Sequence, residues 1–154
     1  MALRSAGDFN LLPAGSISIR IHSIGGWGAI TMGKNLAMTA FELFGLHIKA
    51  NPKYGSEKKG QPTTFYATLA REPIRLNGEL KHVDVVLSPD PNVFRHSNPL
   101  LGLADGGVFV LQSDRPEESW KRLPSWARRE IDERRIRFYT LDAAKLPGGR
   151  GHGE

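Results

Sequence analysis

The chain has 154 residues and 17.0 kDa, the size of one compact domain, and its 40% hydrophobic and 24% charged residues supply a core and argue against disorder. Lys and Arg number 21 against 16 Asp and Glu, a net +5, and the excess is interspersed with acids as on solvated faces. The absence of cysteine excludes disulfides, thiolate zinc sites, a Cys nucleophile and an iron–sulfur cluster held by this chain's own thiolates.

Residues 1–15 have little periodicity and read as a flexible leader, with Pro13 and Gly15 as punctuation. No signal-peptide pattern opens the chain, and no apolar run approaches the roughly 20 residues that cross a bilayer, so a cytoplasmic protein without membrane contact is expected. Ser16 to Ile24 has Ile17, Ile19 and Ile21 in strict alternation, as a strand with one buried face requires. Gly25-Gly26-Trp27-Gly28 ends it.

Ala29, Met32, Gly33, Leu36, Ala37, Ala40 and Phe44 then recur at spacings of three and four, which predicts an amphipathic helix closed at Gly45. Leu46 to Ala50 reads as a second strand, completing an opening βαβ unit. Asn51 to Pro62 is a long polar loop, a place where function concentrates. Thr63 to Ala70 is β-branched and aromatic, hence a strand, and Pro73 keeps Ile74 out of an interior ladder.

Val83 to Ser88 and Val108 to Gln112 are apolar runs that suit buried parallel strands; Asp84 within the first is a strand-end hydrogen-bonding residue. Glu117 to Glu133 is helical but broken at Pro124, with Ser125 as the start signal of its second piece. Ile136 to Leu141 alternates as a last strand, and residues 145–154 read as a flexible tail. The expected fold is an α/β, Rossmann-like three-layer open sheet, mainly parallel, with antiparallel pairing around residues 63–76.

The turn Gly26-Trp27-Gly28 before a helix allows backbone N–H groups to approach a phosphate at the positive helix end. It equally allows a plain tight turn with the helix lying close on the sheet through Gly33, and both readings stand. A dinucleotide site is argued against, because Thr31 replaces the third small residue and Ile48-Lys49-Ala50-Asn51 lacks the ribose-binding acid. No Walker loop, G-x-S-x-G elbow, H-E-x-x-H run or thiamine-type Gly-Asp-Gly motif with its downstream Asn is present. No aromatic platform accompanies the basic stretches, so no nucleic-acid partner is expected. An α/β domain without a complete catalytic constellation points to a binding domain or a part of a larger assembly.

The run Ile19 to Ala29, followed by Tyr54-Gly55-Ser56-Glu57-Lys58-Lys59-Gly60, resembles the gamma subunit or domain of 2-oxoacid:ferredoxin oxidoreductases. That family has a G-x-G-G-x-G turn and a later Y-G-x-E-x-R-G loop. Here Ser23 replaces the first glycine and Lys59 the arginine. Pro73-Ile74 and Asp84-Val85-Val86-Leu87 are similar to further family segments, so the likeness runs over Ile17 to Asp142, and a gamma-type domain is expected over residues 16–144.

The resemblance implies oxidative decarboxylation of a 2-oxoacid to an acyl-coenzyme A. Thiamine diphosphate, Mg and iron–sulfur clusters would be held by partners, namely the thiamine-binding alpha and beta subunits and a ferredoxin-like delta subunit. No cofactor would be bound by this chain alone. Gly25, Gly26, Trp27, Gly28, Tyr54, Gly55, Glu57, Lys58, Lys59 and Gly60 would face coenzyme A or a partner, with Lys53 adding charge to the same loop. The competing reading is a stand-alone α/β module that binds a nucleotide or another anion.

Overall fold

The computed structural model describes residues 12–24, 28–54, 62–75 and 80–146. Six strands form one sheet: β1 (Ile17–Ser23), β2 (His47–Lys53), β3 (Thr63–Ala70), β4 (Val83–Ser88), β5 (Leu103–Gln112) and β6 (Arg137–Leu141). Their order across the sheet is β2-β3-β1-β4-β5-β6. Strands β1, β4, β5 and β6 pair in parallel, whereas β3 is antiparallel to both β1 and β2. The helices are α1 (Ala29–Phe44), α2 (Ser119–Arg122) and α3 (Ser125–Glu133), with short 3-10 turns at Val93–Arg95, Pro116–Glu118 and Ala143–Lys145.

From β1 the chain moves to one side of the sheet and from β4 to the other. Right-handed crossovers in opposite directions put α1 on one face and the α2–α3 pair on the other. Packing agrees. Ala29 of α1 joins Ile21, Phe65 and Ala67, while Ala127 and Ile131 of α3 join Val86, Phe109 and Leu111. The result is the expected three-layer, mainly parallel sheet with antiparallel pairing at β3.

Helix α1 is anchored more narrowly than its periodicity predicts. Ala29, Gly33 and Ala40 are buried, but Phe44 is 71% exposed and Met32 lies partly in solvent. Gly33 sets the contact: any Cβ there would collide with the Phe65 ring, so only glycine lets the helix lie this close. Gly45 adopts φ 61°, its N–H donates to the Phe41 carbonyl and the Leu46 N–H to the Ala40 carbonyl, ending the helix as anticipated.

Four expectations need correction. β2 does not pair with β1, because β3 forms an antiparallel ladder with β2 and inserts between them; alternation fixes a strand's faces but not its neighbours. β2 also runs on to Lys53, so residues 51–53 belong to the sheet and not to a loop, and Pro52 is tolerated because the strand is an edge. β5 begins at Leu103, five residues before its apolar run, across a register shift where Gly106 takes φ 71°. Helix α3 is capped by extended Pro124, whose carbonyl accepts from Ala127 and Arg128, and Ser125 is its first helical residue. The expected role of Asp84 holds: its Oδ2 accepts the Ser18 N–H at 2.9 Å.

Candidate functional site

The seam between β1 and β4 is where the chain reverses its direction of travel. In open α/β sheets ligands bind outside the carboxyl ends of strands at such a seam. The isoleucines of β1 face α1, so alternation sends Arg20 and His22 to the opposite face, where both are buried. Arg20 Nη2 donates to the carbonyls of Pro99 (2.8 Å) and Leu101 (2.6 Å), which straps residues 98–102 over the strand. Burial lowers its pKa, and the neighbouring Tyr66 partly offsets this.

His22 Nε2 lies 2.8 Å from Ser97 Oγ. The Ser97 hydroxyl donates onward to the Val93 carbonyl at 3.4 Å, so the network assigns the ring proton to Nε2 and leaves Nδ1 as a bare acceptor. Burial, and secondarily the charge of Arg20, lowers the His22 pKa to about 4. The imidazole is therefore neutral at pH 7.

Two more polar atoms at this edge have no partner among the described residues. Ser23 Oγ ends β1, and Asp90 Oδ2 follows β4; both residues are fully buried. Asp90 Oδ1 accepts the Asn92 N–H at 2.8 Å, and the Ser88 hydroxyl bonds the Asp90 carbonyl at 3.2 Å. A neutral imidazole acceptor, a hydroxyl and a carboxylate oxygen thus flank the turn into α1. Buried polar atoms without partners are rare and cluster where function holds them in place.

Further along the same edge a cleft of about 510 Å³ opens between the ends of β4 and β5 and the α2–α3 pair. Asn92, Phe94, Arg95, Ser113, Arg122 and Pro124 are among its lining. Among the described residues Arg95 has no ion pair, and Arg122 has a loose, exposed one with Asp114 at 4.0 Å. Cations beside aromatic and prolyl surface suit an anionic ligand with an apolar part. Among the described residues no three of His, Asp or Glu converge as a cation site. In the His22–Ser97 contact the ring donates and the hydroxyl is directed to the Val93 carbonyl, so the contact holds the ring in place and does not activate the hydroxyl.

Of the residues singled out from the sequence, Gly28 and Tyr54 are described. Gly28 has φ 75°, the left-handed conformation that turns the chain into α1, and its carbonyl accepts the Met32 N–H at 2.9 Å. Tyr54 follows β2 and is 71% exposed. Gly25, Gly26, Trp27, Gly55, Glu57, Lys58, Lys59 and Gly60 lie outside the described residues. Ser23 pairs with Thr63 and Lys53 with Thr64, so the glycine turn and the lysine-bearing loop leave the same sheet edge with one strand between their roots, about 10 Å apart. Lys53 itself belongs to the ladder.

Sequence reasoning missed the buried Arg20–His22–Ser97 network, Asp90 and the cleft arginines. The signal for the first was available: charged residues alternating with isoleucines in a central strand demand a covering polar layer.

The fold is an α/β domain with one mixed, mainly parallel six-stranded sheet. Residues 18–147 match the family model for pyruvate ferredoxin/flavodoxin oxidoreductase, and the chain belongs to that family. It is similar to the pyruvate/ketoisovalerate oxidoreductases common subunit gamma of Thermococcus kodakarensis, 34% identical over 102 residues, which are 66% of this chain. The match spans 55% of that relative, so the chain covers about half the length of the curated relatives it resembles. Two solved structures share the fold. Pyruvate oxidoreductase subunit PORC of Thermotoga maritima aligns at TM-score 0.59 and 22% identity over 84% of this chain and 63% of that one. The 2-oxoglutarate:ferredoxin oxidoreductase of Magnetococcus marinus, with 2-oxoglutarate, coenzyme A and succinyl-CoA bound, aligns at 0.58 and 21% over 84% of this chain and 20% of that one.

Proposed function

We propose that this chain, through a domain spanning residues 16–144, is the gamma-type component of a 2-oxoacid:ferredoxin oxidoreductase. The reaction joins a 2-oxoacid and coenzyme A into an acyl-coenzyme A, releasing carbon dioxide, a proton and an electron pair that passes to ferredoxin. The observation that carries the reading is the shared root of the glycine turn and the lysine loop on one sheet edge, in a chain whose family model covers residues 18–147.

This chain's residues do not fit the redox and carbanion cofactors, since it has no cysteine for a cluster and no thiamine motif. Those groups belong to alpha, beta and delta partners, and thiamine diphosphate supplies there the electron sink for decarboxylation. Coenzyme A fits better. Its phosphates suit Lys58 and Lys59, placed on the loop that leaves beside the glycine turn. Neutral His22 and the strapped loop over Arg20 fix the edge from which both segments project. The exposed Met38, Phe41, Leu43 and Phe44 of α1 support life as a subunit, because a free monomer rarely leaves such a patch open. No helix among the described residues is long and apolar enough to cross a membrane, and we place the complex in the cytoplasm. Family membership does not favour the stand-alone anion-binding module.

The test is reconstitution. The alpha, beta and delta chains reduce ferredoxin with a 2-oxoacid and coenzyme A at full rate only when this chain is added back. An undiminished rate in its absence refutes the assignment.

A further inference from the structure

The cleft of about 510 Å³ at the ends of β4 and β5 takes no part in the reaction proposed above. Its volume is that of a site for a small organic ligand. Its position sets it apart from the lysine-bearing loop, which is rooted at β2 and β3. Three interstrand spacings, about 14 Å, separate the seam between those strands from the seam between β4 and β5.

Two segments supply its sides. One is the turn Val93–Arg95, which carries Phe94 and Arg95. The other is the junction of α2 and α3, where Arg122 is the last residue of α2 and Pro124 precedes α3. Both are held before any ligand arrives. Asp90 Oδ1 accepts the Asn92 N–H at 2.8 Å, the Asn92 carbonyl accepts the Arg95 N–H at 2.9 Å, and buried His22 donates to the Ser97 hydroxyl just beyond. At the head of α2 the Ser119 hydroxyl bonds Ser113 Oγ at 2.7 Å, and Ser113 Oγ accepts the Arg115 N–H at 3.1 Å; both serines are buried. Walls fixed in this way lose little entropy when a ligand enters.

Charge decides what enters. Two arginines and one acid, Asp114, line the cleft. Arg122 meets Asp114 only at 4.0 Å, with both side chains more than half exposed, a geometry that contributes little, and Arg95 has no ion pair among the described residues. Guanidinium groups from two segments that share one cleft repel each other unless an anion lies between them. Their planar forks match the paired oxygens of a carboxylate or phosphate. Pro124 and the Phe94 ring add flat apolar surface, which a bare inorganic ion would leave uncovered.

We propose that this cleft is a binding site for an organic anion, separate from the lysine-bearing loop. A carboxylate or phosphate lies between Arg95 and Arg122, and a flat apolar body rests against Phe94 and Pro124. Asp114 competes with the anion for Arg122. The site is built by this chain alone and stands independently of the multi-chain reading.

Isothermal titration calorimetry on the full chain tests it. Adenosine 5′-monophosphate and 3-phenylpropionate are the phosphate and carboxylate probes, and inorganic phosphate is the control. At least one organic probe binds with a Kd of about 0.1 mM, at least about tenfold tighter than inorganic phosphate. Arg95→Gln and Arg122→Gln each raise that Kd about tenfold, whereas Asp114→Asn lowers it about threefold. All three side chains are exposed, so the melting temperature is retained in each variant. Lys58→Ala combined with Lys59→Ala leaves the Kd unchanged. Failure of both organic probes to bind overturns the proposal. So does inorganic phosphate binding as tightly as they do, which marks an adventitious ion only. A Kd that neither arginine variant raises, or that the lysine variant raises instead, overturns it as well. Ferredoxin reduction by the reconstituted complex tests the gamma-type reading separately.

Discussion

The two halves of the sheet are built on different terms. In the β4-β5-β6 half the core is aromatic: Phe109 meets Phe94 edge-on at 5.6 Å and stacks on Phe138 at 5.7 Å, and Trp120 and Trp126 close the cluster. In the β2-β3-β1 half the helix contact is made through Ala29, Gly33 and Ala40, and the opposite face buries Arg20, His22, Thr64 and Thr68. Aromatic packing gives the first half a large reserve of stability. The second depends on close approach and buried polar groups, whose value is position rather than energy. The segments matched to the family motifs leave from the second half, and the aromatic half holds the floor beneath them.

This contrast breaks most sharply in the aromatic half. Phe109→Ala removes a fully buried ring with two ring partners and is expected to cost about 3–5 kcal/mol in urea unfolding. Met38→Ala on the open side of α1 is expected to stay within about 0.5 kcal/mol. Equal losses at the two positions would mean that the halves do not differ as described.

A smaller effect sharpens the polar half. His22 titrates near 4 in the folded protein and near 6.5 unfolded, so between these values the unfolded chain binds more protons. The stability tied to its neutrality is complete above about pH 6.5 and is lost as pH falls towards 4, for a full change of roughly 2–4 kcal/mol. His22→Asn should flatten the stability profile across that window. Unfolding free energies at pH 7 and 4.5 measure it, and a slope identical to that of the unsubstituted protein would contradict the buried, neutral assignment.

How far the sequence carries depends on what each pattern encodes. Isoleucine alternation in β1 and the spacing through α1 report which way side chains face, and both elements lie at the positions they predict. Alternation is silent on neighbours, so the insertion of β3 beside β1 was not legible. The break at Pro124 was legible because a missing N–H and a fixed φ act locally. The partners of Arg20 and His22 were not, since Ser97, Pro99 and Leu101 lie about 80 residues away and reach β1 only through the fold. The motif residues were named through the resemblance to the gamma family, whereas their common edge follows from the register of β1, β3 and β2.

The central claim is that this edge presents a cationic loop to coenzyme A within a multi-chain enzyme. The most direct measurement is a coenzyme A titration of ferredoxin reduction by the assembled complex carrying Lys58→Ala and Lys59→Ala. The account predicts a KM for coenzyme A raised about tenfold, the size of one lost charge-assisted contact, with the rate at saturation and the subunit composition retained. An unchanged KM in a complex that assembles normally would contradict it.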